Sequence, residues 1–125
     1  MIDHVSIGVR DLAASTRFYE EVLATLSHTK LVARSDTVGF GKKYAEFWLN
    51  SRPGRATHAD LGDHVCLRAS SREAVHAFHA SALQNGAEDE GAPGFREHYL
   101  PSYYAAFIRD ADQHLIEVVT FVVQP

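Results

Sequence analysis

The 125-residue sequence has little of three features that would each indicate a particular class of protein. Its single cysteine, Cys66, excludes an intramolecular disulfide and is typical of a reducing compartment. Basic residues are not in excess, since the net charge is -4, which argues against nucleic acid as a partner. No apolar run approaches the roughly 20 residues that span a bilayer, and no signal sequence is apparent. We therefore expect a cytoplasmic protein without a membrane partner.

The rest of the composition is that of an ordinary globular domain, with 46% hydrophobic and 22% charged residues. A chain of this length forms one domain, or two small halves that share one core, and it can bury enough surface to fold without disulfides. Eight histidines are a high number for this length, so their positions in the sequence carry information.

An internal repeat begins at the tripeptide Asp-His-Val, which occurs at residues 3–5 and again at residues 63–65. An ungapped alignment of residues 3–23 with residues 63–83 contains six identical pairs among 21. The identical pairs include His4 with His64 as well as apolar positions. The sequence therefore predicts two copies of one module.

Each repeat begins with alternating apolar residues, as in a strand, and continues with apolar residues at helical spacing. Asp11 is placed to cap the first helix, and Ser70 with Glu73 has capping-box spacing before the second. Three shorter strand-like runs follow each helix, at about residues 28–34, 37–41 and 44–50, and at about residues 87–90, 103–109 and 114–123. We predict an α+β protein with two βαβββ modules in tandem: module one at 1–50, a linker at 51–61 and module two at 62–125.

Strand alternation predicts where four chemically important side chains point. His4 and His64 should face away from the helix of their own module, whereas the neighbouring valines should pack on it. Glu46 and Glu117 stand among apolar residues on the closing strands, where a carboxylate is costly to bury without a partner. Two imidazoles with one or two carboxylates form a suitable ligand set for Zn, Ni, Fe, Mn or Co. Asp3 and Asp63 should stay outside this set because their parity is opposite.

These residues resemble the vicinal-oxygen-chelate superfamily, which includes glyoxalases, bleomycin-resistance proteins and extradiol dioxygenases. The resemblance rests on DHVSIGV with DLAASTRFYEEVL, on GDHVCLRA and on FIRDADQHLIEVV, and it covers nearly the whole chain. It implies that eight strands curl around a metal-binding cleft. It also implies that His4, His64 and Glu117 bind the metal, with Glu46 as the fourth ligand of the glyoxalase I type. Many members dimerise, so a homodimer is expected.

The second module is 11 residues longer between its histidine and its glutamate, around EGAPGFREHYLPSYY. This segment is either a loop that covers the cleft and contacts substrate, or an ordinary surface loop. The remaining histidines, His28, His58, His76, His79 and His114, are expected to face solvent, and Cys66 is expected to be a small buried residue. The candidate substrate-binding residues are Arg68, Trp48, His98, Tyr99 and Tyr103.

Three functions remain open at this point. With Glu46 and Glu117 both in the site, one carboxylate can remove a proton next to a carbonyl and the other can return it, as in a lactoylglutathione lyase-like isomerisation. With only His4, His64 and Glu117 as ligands, iron would form the site of an extradiol ring-cleavage dioxygenase. A metal-free drug-binding protein of the bleomycin-resistance type would hold a planar small molecule between aromatic side chains. Glu46 favours the first.

Overall fold

The computed structural model describes residues 1–57 and 61–122. The chain divides after Thr57 into two compact units, at a point inside the predicted linker. Each unit contains one helix and one four-stranded sheet, in the order strand, helix, strand, strand, strand. The predicted α+β class and the tandem βαβββ order are therefore confirmed. That the two modules form a single domain stays a prediction.

The first unit contains β1 (Val5–Val9), α1 (Leu12–Ala24), β2 (Thr29–Ala33), β3 (Thr37–Gly41) and β4 (Phe47–Ser51). The second contains β5 (Val65–Arg68), α2 (Arg72–Gln84), β6 (Glu88–Phe95), β7 (Tyr103–Arg109) and β8 (Leu115–Phe121). The strand orders are β1-β4-β3-β2 and β5-β8-β7-β6. In each sheet the first and last strands of the unit are parallel neighbours, and the other pairs are antiparallel.

The repeat extends to the helix boundaries, because α1 and α2 both have 13 residues and begin 60 positions apart. Asp11 caps α1 by accepting a hydrogen bond from the amide of Ala14 at 3.0 Å. The second cap is Ser71, which accepts from the amide of Ala74 at 3.1 Å. The prediction that Ser70 caps this helix was therefore wrong by one residue, and Ser71 is the position that aligns with Asp11.

Burial follows the predicted alternation in both first strands. Ile7 and Val9 are buried, whereas Ser6, which precedes Ile7, and the two repeat histidines are exposed. The helices cover one face of each sheet: α1 packs on β2, β3 and β4, and α2 packs on β6, β7 and β8. The largest fully buried side chains are Tyr19, Phe40, Phe47, Phe78, Leu23, Leu49, Ile108 and Ile116. Strand residues that could contact a ligand are therefore expected on the opposite face or at the strand ends.

The extra residues of the second module lengthen a hairpin and do not form one long loop. Strand β6 has eight residues where β2 has five, and β7 has seven where β3 has five. The turn between the strands grows from residues 34–36 in the first unit to residues 96–102 in the second. The sequence interpretation as one loop around residues 90–104 was too long, because Gly91, Pro93 and Gly94 lie within an irregular but paired strand.

Three of the spare histidines in the described residues depart from the expectation that they face solvent. His79 is only 8% exposed on the buried face of α2, and its Nε2 lies 3.0 Å from Asp89 Oδ1 on β6. His28 is half-buried, and its Nδ1 has no hydrogen-bond partner in the described structure. His76 is exposed and His114 is half-buried, while His58 lies outside the described residues. Within residues 1–57 and 61–122, neither helix is long and apolar enough to cross a membrane.

Candidate functional site

The candidate site of the second unit lies where β5 and β8 run parallel as direct neighbours. Cys66 pairs with Glu117 in this register. His64, Cys66 and Arg68 alternate along β5 and are all exposed, which places them on the side of the sheet away from α2. We refer to this side, with Glu117, as the site face. Its composition agrees with the parity predicted from the sequence.

Glu117 is the central residue of the site face. It is a carboxylate with only 3% of its surface exposed, in a strand where its neighbours Ile116 and Val118 are fully buried. Its Oε1 lies 3.0 Å from His64 Nε2, and its Oε2 accepts a hydrogen bond from the Tyr103 hydroxyl at 2.5 Å. Both oxygens therefore have a partner, which offsets the cost of burying the charge.

The groups around Glu117 are held in their protonated forms. Burial of the Sγ atom, followed by the charge of Glu117, raises the pKa of Cys66 to about 12. Burial and then the hydrogen bond to Glu117 raise the pKa of Tyr103 above that of an ordinary tyrosine. At neutral pH the thiol and the phenol are thus neutral donors next to a buried carboxylate. Cys66 was predicted to be buried and is exposed as a residue, although its thiol is sheltered by these neighbours.

A row of rings leads from the hairpin tip to the carboxylate. The ring centroids of His98 and Tyr99 lie 4.2 Å apart, and those of Tyr99 and Tyr103 lie 5.1 Å apart. Phe121 continues the row at 5.4 Å from Tyr103, edge to face. The guanidinium of Arg68 lies 4.8 Å from the Phe121 ring centroid. Four predicted substrate-binding residues therefore belong to one surface, and Phe121 is the member that the sequence analysis missed.

Phe121 had a recognisable signal in the sequence. It stands at an odd position of β8 together with Glu117, and alternation puts both on the same face. Its residue type suggested only core packing, but it is 41% exposed. Parity alone was therefore a better guide here than hydrophobicity.

The first unit holds His4 and Glu46 at the corresponding end of its sheet. His4 Nδ1 lies 2.7 Å from Asp3 Oδ1, and both side chains are largely exposed, so this ion pair adds little to stability. Its chemical effect is on the ring, because a carboxylate at one nitrogen leaves Nε2 as the available ligand atom. Asp3 thus contacts the Nδ1 side of the His4 ring, which is consistent with the prediction that Asp3 is not itself a ligand.

Glu46 does not occupy the position of Glu117 in its own sheet. Ser6 pairs with Trp48, whereas the equivalent residue Cys66 pairs with Glu117. Glu46 comes two residues before this position and just outside β4, where it is half-buried. The sequence interpretation that each half has a glutamate at a matching place therefore needs this correction, while the role of Glu46 as a ligand stays a prediction.

Trp48 packs closely against its cross-strand neighbour Gly39 in the first sheet. A Cβ atom at Gly39 would come within 2.9 Å of the indole ring, so this glycine gives the ring its space. The guanidinium of Arg34 lies 6.0 Å from the ring centroid. The ring is half-buried, and its predicted contact with substrate stays a prediction.

The donor atoms suit a borderline divalent metal but do not by themselves complete a site. An imidazole nitrogen and a carboxylate oxygen 3.0 Å apart are a normal pair of ligands for such an ion. No group of three or more His, Cys, Asp or Glu side chains able to hold a metal ion occurs within the described ranges 1–57 and 61–122. The pair His64 and Glu117 therefore fits a metal as part of a ligand set that needs further donors.

Comparison with known proteins identifies the family. The model of the Glyoxalase/Bleomycin resistance protein/Dioxygenase superfamily matches residues 1–118. The chain belongs to this superfamily. A glyoxalase/bleomycin resistance protein from Albidiferax ferrireducens T118 is 32% identical, with a TM-score of 0.82 and 98% of each chain covered. No curated protein matches the chain.

More distant superfamily structures share the fold at low identity. A glyoxalase/bleomycin resistance protein/dioxygenase family enzyme from Burkholderia phytofirmans PsJN is 16% identical, has a TM-score of 0.75 and covers 97% of this chain and 98% of its own. A glutamate-to-glutamine mutant of the fosfomycin resistance protein FosX from Listeria monocytogenes, in complex with Mn(II) and 1S,2S-dihydroxypropylphosphonic acid, is 17% identical. That comparison has a TM-score of 0.72 and covers 95% of this chain and 88% of FosX.

Proposed function

We propose that this protein is a divalent-metal-dependent enzyme that acts on a small molecule with two neighbouring oxygen atoms. The observation that carries the proposal is the buried Glu117 carboxylate with His64 Nε2 3.0 Å from its Oε1. A strand carboxylate between two core residues costs stability, and an exposed histidine beside it supplies the other common ligand type. Superfamily membership supports the same interpretation.

His64 and Glu117 are the proposed ligands in the second unit, and His4 and Glu46 are the proposed ligands from the first. Asp3 supports the role of His4, because metal-binding histidines commonly donate their other ring N–H to a carboxylate. The FosX complex makes Mn(II) a reasonable ion to test first, together with Zn, Ni, Fe and Co. A bound ion of this kind acts as a Lewis acid that stabilises negative charge on the substrate oxygens.

The proposed reaction is a proton transfer of the lyase or isomerase type, similar to that of lactoylglutathione lyase. Glu117 has both oxygens engaged, so the carboxylate assigned to accept the proton is Glu46. Cys66 and Tyr103 do not serve as bases or nucleophiles at neutral pH, because their raised pKa values keep them protonated. Tyr103 donates a hydrogen bond to Glu117 Oε2, and Cys66 lies beside the same carboxylate.

Metal analysis of the purified protein tests this proposal. The wild-type chain, after reconstitution with each ion, should bind a stoichiometric divalent metal. Glu117→Gln should lose the metal, and Glu21→Gln, which changes an exposed carboxylate on α1, should keep it. Glu46→Gln should lose turnover of the hemithioacetal formed from methylglyoxal and glutathione. Absence of bound metal in the wild-type protein under all these conditions would contradict the proposal.

A second function is favoured by one specific observation, the row of exposed rings. Tyr99 is 54% exposed and Phe121 is 41% exposed, and Tyr103 lies between them. Such a surface can hold a planar molecule without a metal, as a drug-binding member of the superfamily would. Titration with planar aromatic compounds in the presence of a chelator separates the two functions. Binding that survives the chelator and Glu117→Gln, but not Tyr99→Ala, would support the binder.

A further inference from the structure

The side chains of Tyr103 and Glu117 meet although the two residues are four positions apart in the register of β7 and β8. Tyr103 pairs with Phe121 on β8, whereas Phe107 pairs with Glu117. The side chains of Tyr103 and Glu117 share the site face, and the strand positions between them amount to roughly 14 Å. The tyrosine therefore reaches along the sheet toward the carboxylate. Ala105, which lies between Tyr103 and Phe107 on this face, has a small side chain and is fully buried.

The ring of Tyr103 is held in place without its hydroxyl group. Tyr99 and Phe121 both meet it close to edge-on, with centroid distances of 5.1 and 5.4 Å and interplanar angles of 73° and 90°. The hydroxyl at its end donates to Glu117 Oε2 at 2.5 Å. The two functions of the side chain are thus separable, because the ring packs and the hydroxyl binds the carboxylate.

We propose that Tyr103 is a positioning residue that leaves Glu117 with a single oxygen for the metal. This inference rests on the proposed function, because it concerns how the carboxylate of that site is presented. A carboxylate binds a metal ion through one oxygen or through two. Tyr103 occupies Oε2, and the remaining oxygen, Oε1, is the one that lies beside His64 Nε2. The tyrosine therefore decides which atom of Glu117 is a ligand and fixes its direction.

The test compares Tyr103→Phe with Tyr104→Phe in the full chain. The second variant removes a hydroxyl from the next residue, which lies 2.6 Å from His76 Nε2 on the helix side of the sheet. Metal affinity is measured with Co(II) and Mn(II) by chelator competition. Tyr103→Phe should bind roughly 10- to 100-fold more weakly, as expected for loss of a group that orients a ligand, and Tyr104→Phe should stay within about twofold of wild type.

The visible spectrum of the Co(II) protein gives a readout that a general loss of stability would not produce. Loss of the hydroxyl changes how Glu117 is oriented toward the metal, so the absorption bands of Tyr103→Phe should shift, and those of Tyr104→Phe should not. A double-mutant cycle of Tyr103→Phe with Glu117→Gln, measured by unfolding without metal, should show non-additive effects. This cycle tests the hydrogen bond independently of metal loading.

The outcomes separate this inference from the proposed function. If wild type binds Co(II) and Tyr103→Phe has the same affinity and spectrum, Tyr103 does not position Glu117, whereas the metal site stands. If wild type binds no divalent metal, both are wrong. Additive effects in the double-mutant cycle would also overturn the inference, since a hydrogen bond between the two side chains requires coupling. Circular dichroism of each variant establishes that its fold is intact.

Discussion

The reactivity of Cys66 provides a direct measurement of the environment of Glu117. The chain has a single cysteine, so any thiol reaction reports on this residue alone. Cys66 is exposed, which would ordinarily predict fast labelling, yet its pKa is raised from 9.0 to about 12. The largest cause is burial of the thiol, and the second is the charge of the neighbouring carboxylate. We therefore expect an accessible but slow thiol in the metal-free protein.

The expected rate follows from two opposing effects of a raised pKa. Three pKa units lower the thiolate fraction at neutral pH by about 1000-fold. A more basic thiolate is also a better nucleophile, with a Brønsted slope near 0.5, which restores about 30-fold. The net expectation is a reaction about 30-fold slower than that of an ordinary cysteine. Glu117→Gln removes the carboxylate charge, and each pKa unit thereby recovered should accelerate the reaction about threefold.

The assay is the rate of reaction with a disulfide reagent such as DTNB, in the presence of a chelator and across a range of pH. The same chain unfolded in urea supplies the rate of an ordinary cysteine, and Glu73→Gln on α2 serves as a charge-matched control. Native wild type should be slow, Glu117→Gln faster, and Glu73→Gln unchanged. If native Cys66 reacts as fast as in the unfolded chain, or if Glu117→Gln does not change its rate, the electrostatic description of the site is refuted.

Three further predictions concern stability and are measured by urea unfolding. Burial lowers the pKa of His28 below 6.5, so its contribution to stability is fully present above pH 6.5 and is lost as the pH falls; His28→Gln should flatten this dependence. The hydrogen bond with His79, and next that from a backbone amide, lower the pKa of Asp89 below 3.8. Asp89→Asn should therefore destabilise the protein at neutral pH, and its difference from wild type should vanish well below pH 3.8. Gly41→Ala should cost roughly 2–4 kcal/mol, because a Cβ there would clash with the backbone oxygen of Tyr44; a cost under about 1 kcal/mol would contradict the close approach.

The fold was predictable because its signals are local and occur twice. Period-two alternation located the first strands, helical spacing located α1 and α2, and the repeat related them at a fixed offset. Strands β3 and β7 have the predicted bounds. The extent of β6 was not predictable, because Gly91, Pro93 and Gly94 are turn-forming residues whose pairing with β7 depends on the partner strand.

The site was predictable in its residues more than in its geometry. Alternation placed His64 on the face away from its helix, the resemblance grouped it with Glu117, and the structure puts their side chains in contact. The interaction of Tyr103 with Glu117 could not be predicted from the sequence, because it depends on a strand register that no local pattern specifies. The burial of His79 could have been predicted from the repeat. The repeat aligns it with Tyr19, which is fully buried, and only its polar side chain suggested solvent.

The two units show how a repeat can keep its scaffold and change its chemistry at one position. The residue two positions after each repeat histidine pairs with the last strand of its unit. Its partner is Trp48 in the first unit and Glu117 in the second. The backbone pairing is the same, so the scaffold does not require a carboxylate there. An apolar residue would be less costly to bury between Ile116 and Val118, so the buried carboxylate is a specific feature of the second unit. The first unit has an aromatic ring at that position, and its carboxylate, Glu46, lies just before the strand. The two glutamates therefore occupy different places in their sheets. The proposed roles, with Glu117 as a ligand and Glu46 as the proton acceptor, therefore predict different losses: of metal binding in Glu117→Gln and of turnover in Glu46→Gln.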